Sequence, residues 1–209
     1  PRTINDRDVL ARFNPDQQLT IQRSTHILSS LAHFIGKDFA IPVKLNIPGE
    51  GWHWDFGENV IRVDPTHLLE MPMDFLRGVI SHEGGHVRVT RFADIPQDLW
   101  SSPGFSFMMN AIEDPRVNYF VAEAYPRFRK QMEFLYEEDR KFETESDEKA
   151  VATLGTVPRF KQAGYEFIDQ WYRESKNERV ELSPDLPPEV REVVEKTLES
   201  ARNSWLRFP

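Results

Sequence analysis

The stretch His82-Glu83-Gly84-Gly85-His86 decides how the rest of this chain is read. On an α-helix, residues four apart lie on one face, one turn from each other. His82 and His86 would thus stand side by side, with the Glu83 carboxylate next to them. Two neutral imidazoles at this spacing can share one Zn2+, and a neighbouring carboxylate can take a proton from a water held there. Phe75, Leu76, Val79, Ile80, Val87 and Val89 supply an apolar side, which predicts a helix from Met73 to about Arg91. Gly84 and Gly85 weaken such a helix by roughly 1 kcal/mol each relative to Ala. They predict a close approach, by a neighbouring backbone or by the floor of a metal site.

Composition narrows the chemistry further. The chain has 209 residues, 39% of them hydrophobic, with 15 Phe and 5 Trp, enough for one substantial core. Its formal charge of −8 argues against a nucleic-acid partner, because phosphate binding needs clustered Lys and Arg. No apolar run approaches the length of a membrane span. The absence of Cys removes disulfides and thiolate ligands, so any metal here rests on His and carboxylate. It also fits a reducing cytoplasm, and no signal peptide is visible. The chain begins at Pro1 without an initiator Met, the pattern expected of a piece of a longer protein with a further domain or a partner protein.

Before the pentad, Asn14-Pro15-Asp16 reads as a helix start, with Gly36 as the C-terminal cap. Phe39–Leu45 reads as a strand that Pro42 demotes to an edge. Trp52–Phe56 and Val60–Val63 flank Gly57-Glu58-Asn59 as a hairpin, and Asp64-Pro65 caps a short helical turn. After the pentad, a helix begins near Phe105, with a break or kink expected at Pro115. Further helices are expected over about 126–142, 157–176 and 188–206, with a charged, flexible segment at Glu143–Lys149.

Two His and a water leave a tetrahedral zinc one protein ligand short. The H-E-x-x-H-x-x-G-x-x-H pattern would need Gly at 89 and His at 92; Val89 and Phe92 exclude it. Glu113, 27 positions after His86 and in a second helical segment, is the best third ligand, with Asp114 its main rival. Asp114 can equally be an N-cap before Pro115 or, with Asn110, a hydrogen-bonding partner that holds an imidazole in one tautomer. Arg116 can balance negative charge or assist a substrate carbonyl. His53, His67 and the acidic run Glu137-Glu138-Asp139 read as ordinary surface features.

With Glu113 placed after it, the pentad resembles the gluzincin branch of zincin metallopeptidases. Asn110-Ala111-Ile112-Glu113-Asp114-Pro115-Arg116 also resembles the N-x-x-E-D-x-R segment of bacterial metallopeptidases associated with von Willebrand factor A modules; ImmA/IrrE-like peptidases are a second relative. The resemblance covers mainly residues 50–125. It implies an α+β, zincin-like fold: a small, mostly antiparallel sheet packed on a predominantly helical body with an H-E-x-x-H active-site helix. The corresponding division is a zincin-like domain over 1–142 and a helical extension over 143–209 packing on it.

The activity implied is zinc-dependent hydrolysis of peptide bonds, with His82, His86 and Glu113 holding Zn2+ and Glu83 as the base. A peptide or protein substrate would pair with the sheet edge, supplied by Val60–Val63 or Trp52–Phe56. Tyr119, Tyr125 and Tyr165 are all available to stabilise an oxyanion, and no motif selects among them. Two other readings use the same residues. One is a catalytically silent, zincin-like binding or regulatory module; the other is a metal-dependent amidohydrolase for small substrates. The intact Glu83 favours an enzyme, since a structural site needs no base.

Overall fold

The computed structural model describes residues 4–176, 178 and 181–204. They are predominantly helical, with one small sheet, an α+β composition. Contacts divide the chain into two units, Pro1–Thr90 with Val121–Leu135, and Arg91–Phe120 with Tyr136–Pro209. Among the described residues, no helix is long and apolar enough to cross a membrane.

The first unit opens with α1 (Asp6–Leu10), whose Asp6 carboxylate accepts from the Leu45 amide at 3.1 Å. In α2 (Pro15–Gly36), Asn14 caps the start through a reciprocal pair with Gln17. That satisfies two amides otherwise left bare at a helix start. The left-handed residue that ends α2 is Lys37, at φ 55°, rather than Gly36. Gly36 stays helical because its missing Cβ is used elsewhere.

The sheet contains β1 (Val43–Leu45), β2 (His53–Asp55) and β3 (Val60–Val63) in the order β1-β3-β2. β1 runs parallel to β3 and β2 antiparallel to it. The sheet is therefore mixed, correcting the expectation of a mostly antiparallel one. The cause is the connection: residues 46–52 carry the chain from β1 at one edge to β2 at the other, and the hairpin then returns β3 between them, parallel to β1. The hairpin turn is the expected one, with Asp55 accepting from the Gly57 and Glu58 amides and Asn59 at φ 50°. β3 is buried along its whole length and has both edges taken. Of the two segments expected to offer an edge to substrate, only Trp52–Phe56 lies at one.

After β3, Asp64 starts α3 (Pro65–Glu70) and then α4 (Met73–Val89) carries the pentad. Asp64 is fully buried. Its carboxylate accepts from the amides of Gly49, Gly51 and Thr66 and from the Thr66 hydroxyl, at 2.7–3.0 Å. Burial alone would raise its pKa. The bonds from Thr66 and from the two glycines outweigh that and hold the carboxyl below its usual range.

α2 and α4 pack through glycine. A Cβ on Gly84 would sit 3.1 Å from the Ala32 carbonyl oxygen and 3.2 Å from the Ile35 Cβ. One on Gly36 would sit 3.2 Å from the Gly84 carbonyl oxygen. The close approach expected at the pentad is thus a neighbouring helix backbone, which seats Ile21, Leu28, Phe75, Leu76 and Ile80 in one core. Gly84→Ala would gain about 1 kcal/mol of helix propensity. Overpacking against the α2 backbone costs about 1–3 kcal/mol. The expected outcome is a lower denaturant midpoint with an unchanged slope, whereas a raised midpoint would show that α2 can yield.

Two helices run through both units. In α5 (Pro103–Ala124) the helix continues past Pro115 without the expected break, although Pro115 cannot donate to the Ala111 carbonyl. Ala111, Val117 and Val121 are all buried, and their packing outweighs one lost hydrogen bond. α6 (Arg129–Leu154) follows a 3-10 turn at Pro126–Phe128, and the division expected at 142/143 falls inside it. Glu143–Lys149 is helical rather than irregular. Ser146 there accepts from Lys161 at 2.5 Å, anchoring the charged turn to α7 (Arg159–Ser175).

The second unit's core joins α7 to α8 (Pro188–Arg202) through Phe167, Trp171, Val190, Val194 and Leu198. The expected end of α8 at Leu206 lies outside the described residues. Phe107 of α5 meets Phe160 and Tyr165 of α7 edge-on, and Gly164 leaves room for its ring.

Candidate functional site

His82, Glu83 and His86 lie on α4 in the first unit, and Asn110, Glu113, Asp114 and Arg116 lie on α5 in the second. On α4, His86 and Glu83 are buried and His82 is half-buried. The two Nε2 atoms stand 3.0 Å apart, with the ring planes perpendicular and their centroids 4.5 Å apart. Two nitrogens on one tetrahedral zinc, each bonded at roughly 2.0–2.1 Å, would be separated by about 3.3 Å. The two Nε2 atoms therefore stand at nearly the separation one ion requires.

The helix that carries them is held firmly. Glycine contact fixes α4 on α2 at Gly84, and Phe75, Leu76 and Ile80 bury its other side. Thr90, the C-cap, is 1% exposed, and its amide donates to the His86 carbonyl at 2.9 Å. Its Oγ1 lies 2.9 Å from His86 Nδ1. Thr90 was absent from the sequence candidates. Its signal was its place four residues after His86, where the chain leaves the helix but the side chain still reaches back over the last turn.

Within the second unit, Glu113 is buried and both its oxygens are held by Arg116, at 2.8 and 2.7 Å. This fork-to-fork pairing is the strong form of a carboxylate contact. Arg116 and Glu113 thus balance each other's charge within one turn of α5. Asp114 is half-buried and Asn110 is exposed.

Asp139 on α6, in the acidic run expected at the surface, is exposed. The loss of hydration around its carboxylate, then the negative charges of Asp114 and Glu138, push its pKa above the usual carboxylate range. Because the residue as a whole is exposed, the like-charge effect of Asp114 is the more informative part. The surface readings of His53 and His67 divide. His53 is exposed, whereas half-buried His67 accepts from the Trp52 indole at 3.2 Å and meets Phe75 edge-on.

On α4 the donor types match zinc chemistry: two imidazoles whose Nε2 atoms stand 3.0 Å apart, one with its far nitrogen hydrogen-bonded. No family model, curated protein or solved structure significantly matches this chain.

Proposed function

We propose that the chain is a zinc-dependent metallopeptidase in which His82 and His86 bind the ion and Glu83 is the general base. The observation that carries this reading is the 3.0 Å convergence of the two Nε2 atoms beside a buried Glu83. When bound, zinc supplies a Lewis acid that acidifies a water and polarises a carbonyl. Glu83 accepts the proton of the attacking water and returns it to the leaving nitrogen. A site without thiolates is compatible with work in a reducing cytoplasm.

The third ligand is a carboxylate of the Glu113–Asp114 pair, and Asp114 is the better candidate. Both Glu113 oxygens are already engaged by Arg116, so ligation by Glu113 would compete with a bidentate ion pair. Two imidazoles and one carboxylate are also a donor set of the right composition for zinc. Glu113 with Arg116 then acts as the charged support beside the ligand. For the substrate, β2 is a sheet edge and packs against α4, so an extended peptide added at Trp52–Phe56 would run beside the helix that bears Glu83.

Zinc content of the full chain, measured after chelation and re-addition, tests this directly. One zinc per chain is expected in the wild type and none in His86→Ala. Asp114→Asn should weaken binding by more than the roughly 10–100-fold typical of outer partners, and Glu113→Gln by less than Asp114→Asn. The reverse order would return the third position to Glu113. A wild-type chain that retains no zinc would sink the proposal. Zinc retained without cleavage of any unfolded protein or peptide library would favour the silent binding module.

A further inference from the structure

We propose that Thr90 is a positioning residue that presets the tautomer of His86, an inference that rests on the zinc reading above. An imidazole binds metal through a bare nitrogen, so ligation by Nε2 requires the proton to sit on Nδ1. A buried Nδ1–H needs an acceptor, and Thr90 Oγ1 stands 2.9 Å from it. Thr90 is itself fixed: it is 1% exposed, and its amide is tied to the His86 carbonyl. The hydroxyl therefore meets the ring from a backbone position that the helix end dictates.

The contact between the imidazoles sharpens the prediction. Two Nε2 atoms 3.0 Å apart share one proton when no ion lies between them. With the His86 proton on Nδ1, that shared proton belongs to His82 Nε2 and points at the bare Nε2 of His86. The metal-free site is thus asymmetric. His86 already has the ligand form, while His82 must move its proton from Nε2 to Nδ1 as the ion enters. A hydroxyl can also donate, and a donating Thr90 would impose the opposite arrangement, with the His86 Nε2 proton blocking the metal.

Long-range 15N–1H NMR of the metal-free full chain, at a pH where both rings are neutral, separates the two arrangements. The expected result is an Nδ1–H tautomer for His86 and an Nε2–H tautomer for His82. In Thr90→Val, which keeps the shape but removes the hydroxyl, His86 should become a mixture of tautomers. Zinc affinity should fall roughly 10–100-fold, the range for loss of an outer partner. Thr90→Ser should restore both signals, which a purely structural role at the helix end would not explain. An Nε2–H tautomer for His86 in the wild type, or undiminished zinc affinity in Thr90→Val, would overturn the assignment. Should the wild type bind no zinc, the metal reading fails, and with it the ligand-positioning role. The tautomer spectra still report separately whether Thr90 orients the ring.

Discussion

Glu83→Gln is expected to keep one zinc per chain while hydrolysis falls by roughly 10²–10⁴-fold, the range for losing a positioned general base. Glutamine matches the shape of glutamate, which matters at a position only 5% exposed and wedged between His82 and the glycine contact with α2. What it lacks is a carboxylate oxygen that can accept and return a proton. The two imidazoles are untouched, so metal content should not move, and a thermal melt near that of the wild type would exclude misfolding. Equal cleavage rates for the two proteins on any productive substrate would remove Glu83 from the reaction. Zinc lost together with activity would instead make it part of the metal's support.

The largest effect on stability is expected at Asp64, far from any ligand in sequence. Asp64→Ala removes the start of α3 and leaves the Gly49, Gly51 and Thr66 amides without their shared acceptor. Unfolding in denaturant should show a loss of about 3–5 kcal/mol, from one helix cap and several charge-assisted bonds. The pH dependence has a definite sign. The folded carboxyl titrates below its unfolded value, so its contribution is complete above the unfolded pKa. That contribution is lost as pH falls through the lower, folded pKa. An acid titration of stability should therefore lose one acid-labile component in Asp64→Asn relative to wild type. A variant as stable as wild type, with the same acid profile, would show that the 49–51 turn is held by something else.

Much of this was legible in the residues. Asn14-Pro15 gave a helix start because a side-chain acceptor and a ring with no N–H both suit bare amides. Gly57-Glu58-Asn59 between two apolar runs indicated a hairpin, and the left-handed Asn59 makes that turn locally. The pairing of His82 with His86 followed from helical spacing alone. What was not legible depends on contacts made at long range. Residues 46–52 carry the chain from β1 at one edge of the sheet to β2 at the other, which leaves β3 between them and parallel to β1, and no local signal reports that pairing. The helix continues through Pro115, where buried Ala111, Val117 and Val121 override a breaker, and through Glu143–Lys149 despite the charged run. The Arg116 grip on Glu113 is an i, i+3 pair visible in the sequence, but charge spacing alone does not say which of the two adjacent carboxylates it takes.

The interleaving of the two units has a consequence for how the protein can be made. The first unit's core is closed by Leu135, and a Cβ on Gly78 of α4 would stand 3.1 Å from the Gln131 carbonyl oxygen. Those contacts come from a segment that reaches the chain only after the whole of 91–120 has been synthesised. A nascent chain stalled near residue 90 would hold the complete pentad on a helix whose partner at 131–135 does not yet exist. Seating of α4 should therefore lag behind synthesis of its own residues and await emergence of 131–135, so chain order sets when the helix bearing the two histidines becomes fixed.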